Sequence, residues 1–225
     1  MNFLARILGL TSIASITTAF AGQLPPIDPA NYKLPIRVAC IGDSITEGGG
    51  AEKGKSYPSQ LQDLLGDSWK VENYGVSART LLNKGDFPYT KEKAYRKSLK
   101  FQPHIVIIML GTNDTKPQNW QHQAEFTADY TKLVKSFLAL ESKPRVYLCR
   151  PSPVIGDGNY DITEKNLREA IKQIDALAAE LELGVIDMHA ALVGKPEFLP
   201  DRVHPNTQGA AAMAKAAFTV LTGKP

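Results

Sequence analysis

Apolar residues along this chain fall into two rhythms. Short runs with little polar interruption occur at Ile36–Ile41, Lys70–Asn73, His104–Leu110, Arg145–Cys149 and Gly184–Asp187. A run such as Ile105-Val106-Ile107-Ile108-Met109-Leu110 suits a strand covered on both faces, because side chains alternate across a sheet and here both sets are apolar. Between the runs the spacing becomes helical. Phe126, Tyr130, Leu133, Phe137 and Leu140 recur every three or four residues, and so do Leu167, Ile171, Ile174, Ala178 and Leu181 before a stop at Gly184. An Ala-rich segment, Asn206–Leu221, closes the chain. Such alternation predicts an α/β domain, a parallel sheet with helices on both faces. Ligands of these sheets bind beyond the carboxyl ends of the strands, so candidate chemistry is sought just after each run.

The start of the chain breaks the pattern. Met1–Ala21 carries one charge, Arg6, then an apolar stretch from Ile7 to Ile16 and the ending Thr17-Thr18-Ala19-Phe20-Ala21. This reads as a signal peptide over residues 1–21, cleaved after Ala21, and predicts a secreted or periplasmic protein. The stretch is interrupted by Thr and Ser and falls short of the roughly 20 apolar residues of a membrane span. A Pro-rich lead-in, residues 22–35, precedes the domain at 36–225. Composition adds little: 43% hydrophobic and 22% charged residues are ordinary for one globular domain. A net charge of +3 without a long basic run offers no nucleic-acid or membrane-surface footprint. Cys40 and Cys149 lie inside separate strand runs and are expected to be buried free thiols. Neither CxxC nor HExxH occurs, so the sequence offers no metal signature, and the serine chemistry read below requires no organic cofactor.

Gly49–Ser56 matches the phosphate-cradling pattern G-x-x-x-x-G-K-S. Its context is wrong for a nucleotide. Six residues separate Gly49 from the strand end at Gly42, and Asp43, Glu47 and Glu52 would surround a polyphosphate with like charge. Pro58 is also expected to hold Tyr57 out of a helix.

The strand ends carry another set of residues. Ser44 follows the first run in Gly42-Asp43-Ser44, where a strand turning toward a helix can present a nucleophile. Gly75 follows the second in Asn73-Tyr74-Gly75, and Asn113 follows the third in Gly111-Thr112-Asn113-Asp114. Asp201 and His204 stand three apart in Asp201-Arg202-Val203-His204-Pro205, a spacing at which a carboxylate can fix an imidazole tautomer. No G-x-S-x-G elbow is present. In this order the four blocks resemble the SGNH (GDSL-type) hydrolases over Ile36–Leu221. The resemblance implies a three-layer flavodoxin-like sheet of about five parallel strands. It further implies Ser44 as nucleophile, Asp201 and His204 completing a triad, and Ser44 N–H, Gly75 N–H and the Asn113 amide as oxyanion donors. Two positions depart from the family: Ala78 and Arg202 stand where glycine is frequent.

The blocks Gly42–Gly48 and Gly111–Trp120 are similar to those of bacterial carbohydrate O-acetylesterases of the acetylxylan and sialate types. That implies an acetylated sugar or polysaccharide as substrate. Trp120, Tyr89 and Tyr160 sit among Asp, Asn and Gln in loops, as does Phe87, and are expected to offer aromatic faces to a sugar; Arg202 is expected to tune access or charge preference. A lysophospholipase or thioesterase, a sugar O-acetyltransferase and a binding protein without catalysis are the competing readings. Among the other histidines, only His189 follows a strand run at the same edge.

Overall fold

The computed structural model describes residues 23–225; the signal-peptide reading of residues 1–21 lies outside them. Five strands form one parallel sheet: β1 (Ile36–Gly42), β2 (Trp69–Gly75), β3 (Ile105–Met109), β4 (Arg145–Arg150) and β5 (Gly184–Asp187), in the order β2-β1-β3-β4-β5. β2 extends the expected run at both ends, and His104 falls just outside β3. There its Nδ1 accepts the Arg37 N–H at 3.1 Å, far from the carboxyl edge.

The connections are helical: α1 (Ser44–Glu47), α2 (Tyr57–Leu65), α3 (Lys93–Lys100), α4 (Pro117–Trp120), α5 (Phe126–Leu138), α6 (Glu164–Glu180), α7 (Met188–Leu192) and α8 (Thr207–Thr222). Alternation in β1 and β3 explains the layers. Val38, Cys40, Ile105, Ile107 and Met109 join one core with residues of α2, α7 and α8, while Ala39, Ile41, Val106 and Ile108 join another with α5 and α6. Every residue of β3 is buried, and each such aliphatic side chain is worth roughly 1.5–3 kcal/mol relative to exposure.

β3 lies between β1 and β4, so Cys40 and Cys149 are not on paired strands; both are free and buried. Burial pushes the Cys40 thiol up to about 12, which keeps it protonated and inert. Contrary to expectation, Tyr57 opens α2, with Pro58 in its first turn and Ser56 as the cap. Proline costs nothing there because first-turn N–H groups have no intrahelical acceptor.

Candidate active site

The carboxyl ends of β1 and β3, the β2–α3 loop and the turn before α8 converge on a cavity of about 260 Å³. Ser44, Ser77, Ala78, Asn113, Tyr160 and His204 are among the residues that line it. Asp43 sets the position of Ser44. Its side chain caps α1 by accepting the Ile45 N–H at 3.0 Å, so Ser44 becomes the first helical residue. Ser44 Oγ lies 2.8 Å from His204 Nε2, and His204 Nδ1 lies 2.7 Å from Asp201 Oδ2. The other oxygen, Asp201 Oδ1, accepts the backbone N–H groups of Val203 at 3.0 Å and His204 at 2.7 Å. Although desolvation works against it, these bonds and His204 hold the Asp201 carboxyl below its ordinary range. Ser, His and Asp are thus in the hydrogen-bonded series that lets a hydroxyl lose its proton to a correctly oriented imidazole.

Gly49 and Gly50 belong to this arrangement rather than to a phosphate cradle. A Cβ at Gly49 would sit 3.2 Å from His204 Cδ2 and 3.1 Å from Ser44 O, and one at Gly50 would sit 2.9 Å from His204 Cβ. The glycines let the loop cross closely over the Ser–His pair.

Two donors that could meet a developing oxyanion are where the sequence puts them. Asn113 Nδ2 lines the cavity and makes only long contacts, 3.4 Å to Asp43 Oδ2 and 3.3 Å to Arg79 O. Among the described residues nothing accepts the Ser44 N–H. The third, Gly75, requires correction. Its N–H donates to Asn73 Oδ1 at 2.9 Å, it is absent from the cavity wall, and a Cβ there would overlap the Glu47 backbone. Gly75 is a packing glycine beneath α1. Ala78 lines the cavity instead, and its N–H has no acceptor among the described residues. The signal that could have found it is the Ala78 departure itself. Its φ is +66°, the left-handed region that favours glycine, and Arg202, the other departure, has φ +75°.

The expected aromatic faces divide. Trp120 is buried and packs edge-on against Phe126 with centroids 5.6 Å apart. Tyr89 is fully buried, its hydroxyl donating to Tyr74 O at 2.7 Å. Neither can stack on a sugar; both pin loops to the core, because a large ring gains more from burial than from solvent. Arg202 is exposed but outside the cavity wall, and its backbone ties the turn through Leu199 O and Ile155 N. Tyr160 does line the cavity, and Phe87 is 53% exposed with the Arg79 guanidinium 5.5 Å from its ring centroid. His189 is tied to Glu164 Oε1 at 2.8 Å, away from Ser44.

Two buried acids lie under the site. Burial raises the Asp43 carboxyl to about 6 and the Asp114 carboxyl to about 7. Asp114 accepts the N–H groups of Leu81 at 3.0 Å and Leu82 at 2.7 Å, which fixes the loop that carries Ala78. No group of three or more His, Cys, Asp or Glu suited to a metal ion occurs among the described residues.

Comparison with known proteins places the chain. It is 41% identical to an acetylxylan esterase of Xylanibacter ruminicola over 208 aligned positions, covering 83% of this chain but 43% of that relative's length. Its fold is shared by a carbohydrate acetylesterase from Sinorhizobium meliloti, with a TM-score of 0.68 at 21% identity over 81% of this chain and 96% of the other. An aryl esterase of M. smegmatis gives 0.66 at 21% identity with the same coverage. The GDSL-like lipase/acylhydrolase family model matches residues 40–212, and the chain belongs to that family.

Proposed function

We propose that the protein is a serine esterase that removes acetyl groups from carbohydrate esters. The observation that carries this reading is the unbroken series Ser44 Oγ, His204 Nε2, His204 Nδ1 and Asp201 Oδ2, with contacts of 2.8 and 2.7 Å, at the wall of a small cavity. Ser44 Oγ bonds to the acetyl carbonyl carbon as its proton passes to His204 Nε2. The oxyanion is held by Ser44 N–H, Ala78 N–H and the Asn113 amide. As the tetrahedral species collapses, the bond to the sugar oxygen breaks and His204 returns the proton to that oxygen. Water then releases acetate from the acyl-enzyme by the same steps.

The 41% identical acetylxylan esterase supports the substrate class, and so does the size of the site. A cavity of about 260 Å³ with Ile162 and Val203 on its wall is small for a ligand site and accommodates a short acyl group. The sugar itself would lie outside the cavity, where Tyr160 and Phe87 are exposed. The signal-peptide reading of residues 1–21 adds export, testable by N-terminal sequencing of the exported protein.

A fluorophosphonate probe should label Ser44, and Ser44→Ala should remove nearly all hydrolysis while leaving a folded protein. Across aryl esters, acetyl should be fastest, butyryl slower and octanoyl barely turned over. Labelling at Ser77 or Ser152, or rates that rise with acyl length, would overturn the proposal.

A further inference from the structure

The loop between β4 and α6 is strained and tied to the Asp201 turn. Tyr160 and Asp161 are consecutive non-glycine residues at φ +55° and +61°. Left-handed backbone is unfavourable for residues that carry a Cβ, so other contacts must hold them there. Ile155 N donates to Arg202 O at 3.0 Å, and Asn159 Nδ2 donates to Asp201 O at 3.1 Å. Asn159 Oδ1 also accepts the Tyr160 N–H at 2.9 Å, which sets the direction of the next side chain. Behind the loop, Glu164 Oε2 accepts the Val154 N–H at 2.9 Å while Oε1 holds His189.

The outcome of this bracing is the placement of Tyr160. Its hydroxyl lies 3.3 Å from Asp201 Oδ2, the same oxygen that faces His204 Nδ1. Its ring meets the His204 imidazole edge-on, with centroids 5.5 Å apart and planes at 66°. A residue that served only as a sugar platform would need an exposed ring and no contact with the acid–base pair. Here the ring is half exposed, yet both its polar and apolar parts touch that pair.

We propose that Tyr160 is a positioning residue, a clamp that orients the Asp201 carboxylate and confines the His204 ring so that Nε2 stays aimed at Ser44 Oγ. With the Tyr160 hydroxyl, Asp201 has four donors, two backbone N–H groups on Oδ1 and Nδ1–H and the phenol on Oδ2. A second donor on Oδ2 fixes the carboxylate plane. It also draws charge from that oxygen, which keeps the shared proton on the imidazole nitrogen. The ring edge restricts rotation of the imidazole and shields the pair from water on one side. The clamp rests on the esterase reading for its effect on rate, but not for its effect on the His204 Nδ1 proton.

The experiment compares Tyr160→Phe with Tyr160→Ala in the full chain. Tyr160→Phe removes one of the two donors on Asp201 Oδ2, the hydroxyl at 3.3 Å, and leaves His204 Nδ1–H in place. Tyr160→Phe should therefore lower kcat on an aryl acetate by about tenfold with KM within about twofold. Tyr160→Ala should lower kcat further, because the ring edge is also lost. In proton NMR the low-field His204 Nδ1–H resonance should move in Tyr160→Phe and broaden through solvent exchange in Tyr160→Ala. An unchanged kcat with an unmoved resonance in Tyr160→Phe would overturn the clamp. A raised KM at constant kcat would do the same, leaving Tyr160 as a substrate wall. If the wild-type protein hydrolyses no ester yet the resonance moves in Tyr160→Phe, the clamp stands and the esterase reading fails.

Discussion

Asn113 shows how little a side chain's identity says about its role until its partners are known. An asparagine after a strand is an ordinary turn former. Here its amide is buried at the cavity wall with contacts of 3.3 and 3.4 Å, so its donors are available to a better acceptor. Asn113→Ala should lower kcat by about 10²–10³ with little change in KM, as expected when a donor acts on charge that develops in the transition state. Steady-state kinetics on an aryl acetate check this, and a change confined to KM would make Asn113 a ground-state contact instead. Ala78 makes the complementary point through its backbone. At φ +66° its Cβ carries a conformational cost, so Ala78→Gly should retain activity and raise stability by about 1 kcal/mol or less. Urea unfolding would show it, and a loss of stability would mean that the alanine methyl packs usefully.

One level up, the β2–α3 loop behaves as a single element suspended from buried acceptors. Besides the two Asp114 bonds, Asp129 Oδ2 accepts the Asn83 N–H at 2.9 Å and Asn119 Oδ1 accepts the Asp86 N–H at 2.9 Å. On the outer side Glu47 Oε2 takes both the N–H and the hydroxyl of Ser77. The Ala78 N–H is held in place by Asp114, Asp129, Asn119 and Glu47, none of which lines the cavity. Asp114→Ala leaves two buried N–H groups unpaired, at about 1–3 kcal/mol each, and should both lower the urea midpoint and reduce kcat. A variant as stable and active as wild type would show that the loop is set by other bonds. The same loop presents Phe87 against Arg79. Phe87→Ala should raise KM for an acetylated oligosaccharide while leaving a small aryl acetate within a few-fold, because only the larger substrate reaches the ring.

For the molecule as a whole, the buried acids set a pH dependence with a definite sign. Asp43 and Asp114 hold their protons to about 6 and about 7 when folded, against 3.8 for an ordinary aspartate. Between pH 4 and 7 these two groups therefore hold more protons in the native state than in the unfolded chain, and their contribution to stability falls as pH rises through that window. Asp129, Glu164 and Asp201 are shifted down, so their stabilisation is present above the ordinary carboxylate range and is lost as pH falls below it. His104, lowered by burial, adds a term that grows with pH up to its ordinary value. Comparing Asp114→Asn with wild type cancels the shared terms. The variant should be less stable throughout, since its amide nitrogen cannot accept a backbone N–H, and its decline from pH 4 to 7 should be shallower. Parallel curves would show that Asp114 does not titrate in that range.

Sequence alone determined the strands, the layers and most of the residues that meet at the candidate site. Apolar alternation is a local property of a chain that buries both faces of a sheet, and Ser44, Asn113, Asp201 and His204 follow their strands or share a turn. The position of Ala78 at the cavity wall, the burial of Trp120 and Tyr89 and the placement of Tyr160 came only from the tertiary structure. A glycine's N–H is free or spent according to a neighbour such as Asn73, and loop spacing does not reveal that. An aromatic in a polar loop can point to solvent or to the core, and packing partners such as Phe126 decide between them. Tyr160 reaches Asp201 across 41 residues because the β4–α6 loop and the turn before α8 meet at one sheet edge. Contacts between distant segments depend on how the layers close, which no local pattern encodes.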